Sequence, residues 1–542
     1  MSSSLPVAWL SVPSPTGIGL GKLFSFFFRN MERSYRNALA LLDSKRDDLK
    51  TTRRSRASQL LKKTTCGSID REDSGNEATN NRFSVPAGNP MKTGNECMNE
   101  WLEILGYTHK EFNVIHITGA KGKASTCMFV KSFLSSYASR TGALRRIGLY
   151  TNPYSPNVRE PIKVNAKPIS EEKFTRYFFE VWEILSSKFS ETIMPDYMQL
   201  RLLVAIYAFN AEDVDVVIME THCGGETDAT NFVKPTAVGI AQVNADFLEA
   251  GGPSVEDLAW HAAGIMKTDA PAFSIPQEYE VRKVLEARAN ERGVPLNFVN
   301  EDYRLPIAAH ALKQDIKRLE CSLALALTDA YLTSLYNEKY PPLSFEDISI
   351  GLDRFFWPGR FQKLDVGQNS WFLDGAHHLQ TVPKAAEWFA MSVCEEATLS
   401  PFSYALRRMR QTILSRVEPG NPKVVIFAHK TRGDGPGEKV VESLAKALEK
   451  HRCKVKHVIF TTDWDDVSKI TDSDISAMRS YAQTWQKLSP NSSILLEPNN
   501  AAAIDLATKI GYQNHTMECL VTGSLFLAGS ALRRLDPMGE KV

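Results

Sequence analysis

Gly119, Gly122 and Lys123, followed by Ser125 and Thr126, bring together the residue types that hold a polyphosphate. Glycines let backbone N–H groups approach phosphate oxygens, and the start of a helix adds partial positive charge. In such a loop Lys123 neutralises the β/γ-phosphates and a hydroxyl faces the metal ion. Lys121 lies in the same turn and is a further candidate for phosphate. The implied chemistry is nucleotide-driven. The spacing departs from the common phosphate loop. Two residues, not four, separate the glycines, and Ala124 rather than Ser or Thr follows Lys123. A plain strand–turn–helix connection shares this composition.

Three further sites carry candidate chemistry. Glu220 ends the hydrophobic run Asp215–Glu220 and precedes a glycine-bearing loop, His222 to Asn231. Ligands gather at the carboxyl ends of parallel strands, so an acid there is placed to hold Mg²⁺ beside phosphates. The lesser alternative is an acid that caps the next turn. Arg360 falls in Trp357–Gln362, at a junction between two units, from where a guanidinium could reach phosphate across a cleft. Asp374 and His377 follow the strand Trp371–Leu373 and could orient nucleotide or acceptor, or simply tie a tight turn.

These residues need elements to position them. Val114–Thr118 reads as a strand running into the phosphate loop, and Cys127–Leu134 as part of the helix that leaves it. Buried-strand patterns recur at 215–220 and 237–243, and helical spacing at 171–187, 197–210, 255–264 and 316–337. Strand–helix alternation of this kind implies an α/β fold with a mostly parallel sheet covered on both faces. A second, smaller α/β unit starts near Gln362, with strands at 371–373, 423–427, 455–460 and 519–521. The expected organisation is an ATP-binding domain over 31–355 and a Rossmann-like domain over 356–542, with a polar insertion at 43–92. Residues 31–42 and 98–105 read as helices flanking that insertion.

With 64 basic and 63 acidic side chains, the chain carries no overall attraction to nucleic acid or to a membrane surface. No apolar run reaches the roughly 18 residues of a membrane span. Eight scattered cysteines without a Cys-x-x-Cys argue against a disulfide framework or zinc module and for a reducing compartment. The expected location is the cytoplasm. Residues 1–30 contain no acid and include the cluster 24–28 between Lys22 and Arg29, so a mitochondrial presequence is the alternative, with Met31 as a second start.

Taken in order, these blocks resemble the folylpolyglutamate synthase family within the Mur ligase superfamily. The resemblance rests on the 31–42 helix, the phosphate loop, Gly148–Tyr154, Val158–Glu160 and Asp215–Glu220. It continues through Gly224-Gly225, Asp228–Asn231, Leu258–Trp260, Ala263–Lys267, Trp357–Gln362, Asp374–His377 and Thr522–Leu525. It implies an N-terminal phosphate-loop ATPase domain and a C-terminal Rossmann-like domain, with ATP and Mg²⁺ required. It implies transfer of phosphate to the γ-carboxylate of a folate and attack by glutamate's amino group, in a protein that is usually monomeric. By position, Gly119, Lys121, Gly122, Lys123, Ser125, Thr126, Arg360 and Asp374 would hold ATP. Glu220, Ser125 and Asn152 would hold the metal, and Lys123, Asp374 and His377 would act in catalysis.

The chain also departs from the family pattern. Ala120 and Ala124 replace family residues of the phosphate loop, and Asn152 and Tyr154 stand in the segment where the family has Ser and His. Phe247 stands where the family has a metal-binding histidine, and Ala262 where it has a lysine that can be carbamylated. His261, the neighbour of Ala262, is expected to point about 100° away on its helix. On the folate side, Tyr197–Leu200 lacks the family's phenylalanines, and Pro161 and Glu226 replace arginines. Three readings follow: a diverged but working folylpolyglutamate synthase, a ligase for another carboxylate, or a nucleotide-binding homologue without turnover.

Overall fold

The computed structural model describes residues 32–46, 94–107, 113–152, 157–189, 193–244, 254–307, 312, 315–335, 341–355, 357–393, 421–430 and 436–536. The leader at 1–30, residues 47–92 of the expected insertion, Tyr154 and Phe247 lie outside the described residues. The strands form two sheets.

The first sheet contains β1 (Val114–Thr118), β2 (Ile147–Tyr150), β3 (Ile162–Val164), β4 (Lys167–Pro168), β5 (Val216–Glu220), β6 (Ala237–Ile240), β7 (Ala272–Ser274) and β8 (Leu296–Phe298). Their spatial order is β4-β3-β2-β5-β1-β6-β7-β8. All pairings from β2 to β8 are parallel, while β3 and β4 make an antiparallel edge. Every residue of β1, β2, β5 and β6 is buried, as expected of strands covered on both faces. One face is covered by the helix Lys123–Thr141, which packs on Asp315–Ser334 and Phe345–Asp353. The other is covered by Glu171–Lys188 and Tyr197–Ala211, whose Phe178, Trp182 and Phe209 are buried. The helix starts are fixed by side chains that accept otherwise unpaired N–H groups. Ser170, Asp196, Ser254 and Ser344 each serve in this way.

The second sheet contains β9 (Gln362–Val366), β10 (Asn369–Leu373), β11 (Lys423–Phe427), β12 (His457–Phe460), β13 (Ser493–Leu496) and β14 (Glu518–Thr522). Its order is β13-β12-β11-β14-β10-β9, parallel except for the β9–β10 hairpin. Alternate residues feed two cores. Phe372, Val425 and Phe427 face one, and Trp371, Leu373 and Ile426 face the other.

Two expected boundaries move for local reasons. The first helix runs Tyr35–Ser44 because Ser34 caps it by accepting the N–H of Asn37. The strand expected to reach Val243 ends at Ile240, because the chain turns to serve the phosphate loop. There the Gln242 carbonyl accepts the N–H groups of Ala120 at 2.7 Å and Lys121 at 3.1 Å.

Candidate active site

β1, β2 and β5 end side by side, and the residues just beyond them form the site. Ile117 of β1 lies in register with Glu220 of β5, and Tyr150 of β2 with Met219. The phosphate loop leaves β1 through Gly119, at φ +138°, and Gly122, at φ +85°. Both conformations are ones that L side chains rarely adopt. Gly122 starts the helix Lys123–Thr141 and no side chain caps it, so the helix's first N–H groups face the loop. Lys123 is buried, its Nζ donating to the Gly119 carbonyl at 2.8 Å, and the Thr126 hydroxyl donates to the Gly122 carbonyl at 3.0 Å. Such an arrangement is able to cradle an anion. Ala124 is accommodated as the second residue of a regular helix, so its Cβ demands no left-handed backbone.

Glu220 is fully buried at the end of β5, and its Oε2 accepts the backbone N–H of Asn152 at 2.9 Å. The Asn152 amide donates in turn to the His222 carbonyl at 2.9 Å, which fixes that side chain beside Glu220. Ser125 stands elsewhere in the network: its hydroxyl accepts a hydrogen bond from Lys317. Among the described residues no three His, Cys, Asp or Glu side chains converge on a metal position. A carboxylate and an amide still suit Mg²⁺, which keeps several waters.

Two of the substituted positions, Ala262 and Glu226, have a packing role. Ala262 is 2% exposed within a cluster that includes Val238, Ile240 and Leu258. His261, its neighbour, lies against the loop after β5, where a Cβ on Gly224 would meet its Cβ at 3.3 Å. Glu226 has become part of an ion cluster. Its Oε2 accepts from Arg288 at 2.7 Å and Arg292 at 2.6 Å, and Arg288 also lies over the Trp260 ring.

The second unit brings Trp357–Gln380 to the phosphate loop. Lys121 donates to Gln380 Oε1 at 2.8 Å, and Lys317 lies 5.4 Å from the centre of the Trp357 ring. Asp374 is buried after β10. Its Oδ2 accepts the Phe361 N–H at 2.9 Å and its Oδ1 the Ala376 N–H at 2.8 Å. Burial pushes its carboxyl above the ordinary value, against the opposing charge of Arg360. Arg360 stacks 5.2 Å from the Trp357 ring centre and keeps a buried Nε without a partner. His377 Nδ1 lies 2.8 Å from the Gly375 carbonyl. Burial, with His378 and Arg360 nearby, lowers its pKa to about 3. The imidazole is therefore neutral at physiological pH, and its Nδ1 carries the proton toward Gly375, leaving Nε2 as an acceptor.

The sequence reading missed five side chains: Lys317, Glu320, Gln380 and the pair Tyr150–His222, whose hydroxyl and Nε2 are 2.7 Å apart.

A pH prediction follows from His377 and from His116, which is fully buried, held by Thr230 at 2.9 Å and likewise lowered by burial to about 3. Both bind protons in the unfolded chain near the ordinary 6.5 but not in the fold until about 3. Between those values the unfolded state holds more protons, so stability must fall as pH falls. Each group contributes a slope of about 1.4 kcal/mol per pH unit. Denaturant unfolding at several pH values between 7 and 5 should show this loss, with a shallower slope for His116→Asn.

Two mostly parallel α/β units meeting at a glycine-and-lysine loop define a two-unit α/β fold whose candidate site lies at the strand ends. Curated relatives are similar over most of the chain. The Neurospora crassa folylpolyglutamate synthase is 34% identical over 474 residues, covering 81% of this chain and 85% of that protein. The Saccharomyces cerevisiae folylpolyglutamate synthase is 32% identical over 477 residues, covering 82% and 81%. The chain belongs to the folylpolyglutamate synthase family. Solved structures share the fold. The folylpolyglutamate synthase of Thermotoga maritima aligns with TM-score 0.60 at 22% identity, covering 83% of this chain and 95% of that one. The Mycobacterium tuberculosis folylpolyglutamate synthase, in complex with ADP, aligns with TM-score 0.62 at 19% identity, covering 82% and 95%. No protein-family model matches the chain.

Proposed function

We propose that this protein joins L-glutamate to the γ-carboxyl of a folate, or of a folate polyglutamate, at the expense of ATP. The observation that carries the reading is the phosphate cradle of Gly119, Gly122 and Lys123 beside buried Glu220, in a chain of this family. On this reading ATP lies with its phosphates on Lys121, Lys123, Thr126 and the loop N–H groups, and Arg360 and Asp374 face it from the junction. The γ-phosphoryl group passes to the folate carboxylate, releasing ADP and giving an acyl phosphate. Glutamate's amino nitrogen attacks the acyl carbon, and a tetrahedral intermediate collapses to the amide and inorganic phosphate. The attacking amine must lose a proton; His377, its pKa lowered to about 3 by burial, is too weak a base to take it outright and serves instead as a neutral hydrogen-bond acceptor through Nε2 that orients the amine. Positioning and charge neutralisation supply most of the acceleration in such transfers.

Mg²⁺ would be held by Glu220 and Asn152 with water in the remaining positions, and it would neutralise charge on the phosphates. Ser125, expected as a third ligand, is engaged by Lys317 instead. Glu220→Gln keeps the shape and the acceptor for Asn152 but removes the charge. It should raise the Mg²⁺ concentration for half-maximal rate by about 10-fold or more, since hydrogen-bonded charge at such sites is worth about 1.5–3 kcal/mol. On the same reading the protein works in the cytoplasm, as a monomer, on small molecules.

The deciding experiment supplies ATP, Mg²⁺, glutamate and tetrahydrofolate and reads phosphate release beside product mass. A folate heavier by whole glutamate residues establishes the reading. Phosphate release only with a different carboxylic acid, or ADP binding without any turnover, rejects it.

A further inference from the structure

Lys317 and Glu320 occupy ground beside the phosphate loop that the sequence assigned to no one. They stand three residues apart on the helix Asp315–Ser334, which packs lengthwise on the helix leaving the loop. The Lys317 ammonium donates to Ser125 Oγ and to Glu320 Oε2, the latter at 2.7 Å, and lies over the Trp357 ring. The two side chains are 18% and 6% exposed, so this is a largely desolvated pair rather than a surface one. Glu320 presses on the loop itself: a Cβ on Gly122 would come within 2.8 Å of its Oε1.

A carboxylate at the uncapped start of a 19-residue helix takes the place that suits an anion. Lys317 is its counter-ion. Nucleotide phosphate, with more charge and more acceptor oxygens, competes for the same helix start. Displacing Glu320 leaves the ammonium between phosphate and Ser125. By the family pattern that hydroxyl, one position beyond the usual Ser or Thr of a phosphate loop, is the one placed to face a divalent ion. An ammonium in contact with Ser125 opposes a second cation at the same oxygen.

We propose that Lys317 is a phosphate-binding cation of this chain, with Glu320 as its counter-ion until nucleotide enters, so that ADP is held with little help from Mg²⁺. This rests on the nucleotide-binding reading above. Lys317 takes part of the charge neutralisation at Ser125, and Mg²⁺ acts from the Glu220 side.

The test is ADP affinity by titration calorimetry, in EDTA and in Mg²⁺, for the full chain and for Lys317→Met, Lys317→Arg and Glu320→Gln. The wild type should bind ADP in EDTA within about 3-fold of its affinity in Mg²⁺. Lys317→Met should weaken binding in EDTA by about 10-fold or more, and Lys317→Arg should restore it. Glu320→Gln should tighten binding, because the competing carboxylate is gone. Circular dichroism melts of each variant separate loss of binding from loss of fold. Wild-type binding that requires Mg²⁺, or Lys317→Met and Lys317→Arg both binding as wild type in EDTA, overturns the assignment of Lys317 alone. Absence of ADP binding by the wild type in either condition overturns it together with the nucleotide-binding reading.

Discussion

Lys123→Met should lower the rate of glutamate-dependent phosphate release about 10²–10³-fold, the usual cost of removing one preorganised group that meets developing charge. Methionine keeps the unbranched stem that packs at the start of the Lys123–Thr141 helix and removes only the ammonium. Lys123 is 8% exposed, and its ammonium donates to the Gly119 carbonyl at 2.8 Å, which belongs to its own loop. The ammonium is thus held over the loop by a single hydrogen bond that a phosphate oxygen can replace. The melting temperature should therefore change little while the rate collapses. Initial rates at saturating ATP and glutamate, with a thermal melt of the same preparation, make the check. A rate within threefold of wild type would mean that Lys123 only ties down the loop and that phosphate is met by other groups.

Much of this site was legible because it lies on short-range pattern. Val114–Thr118 is apolar enough to be a strand buried on both faces, and two glycines with Lys123 announce a loop that must leave the ladder. Glu220 was legible for the same reason, as a single acid closing an otherwise apolar strand. What was not legible depends on which helix face meets which loop. Lys317 and Glu320 have the i, i+3 spacing of an ordinary solvated pair, and only the packing of their helix against the phosphate loop buries them. Glu226 looked like a lost arginine. Its gain, two guanidinium partners from the helix Tyr279–Arg292, comes from residues more than sixty positions away. The contact of His261 was not legible either, because it is made with a loop distant in sequence. The loop after β5 wraps so that Gly224, having no side chain, lets the imidazole approach.

Asp374→Ala should cost both stability and activity, because this carboxylate holds a turn as well as facing the junction. The turn runs through Gly359 at φ +70° to Phe361 at φ +46°, a left-handed conformation unfavourable for a bulky residue by about 1–2 kcal/mol. It is held by the Phe361 N–H on Asp374 Oδ2 and by the Gly375 N–H on the Gly359 carbonyl at 3.0 Å. Alanine leaves the N–H groups of Phe361 and Ala376 without their acceptor and the Arg360 charge uncompensated. Two buried donors left unpaired cost about 2–6 kcal/mol before relaxation. A released turn also moves Arg360 and Trp357, and a misplacement of about 1 Å at a reacting centre can cost about 10²-fold in rate. Asp374→Asn separates the two roles. Its carbonyl oxygen can accept one of the two N–H groups, while its amide cannot accept the other and carries no charge. If the asparagine variant regains most of the stability yet stays as slow as alanine, the charge facing the junction matters to the reaction. If stability and rate recover together, Asp374 works by holding Arg360 in place.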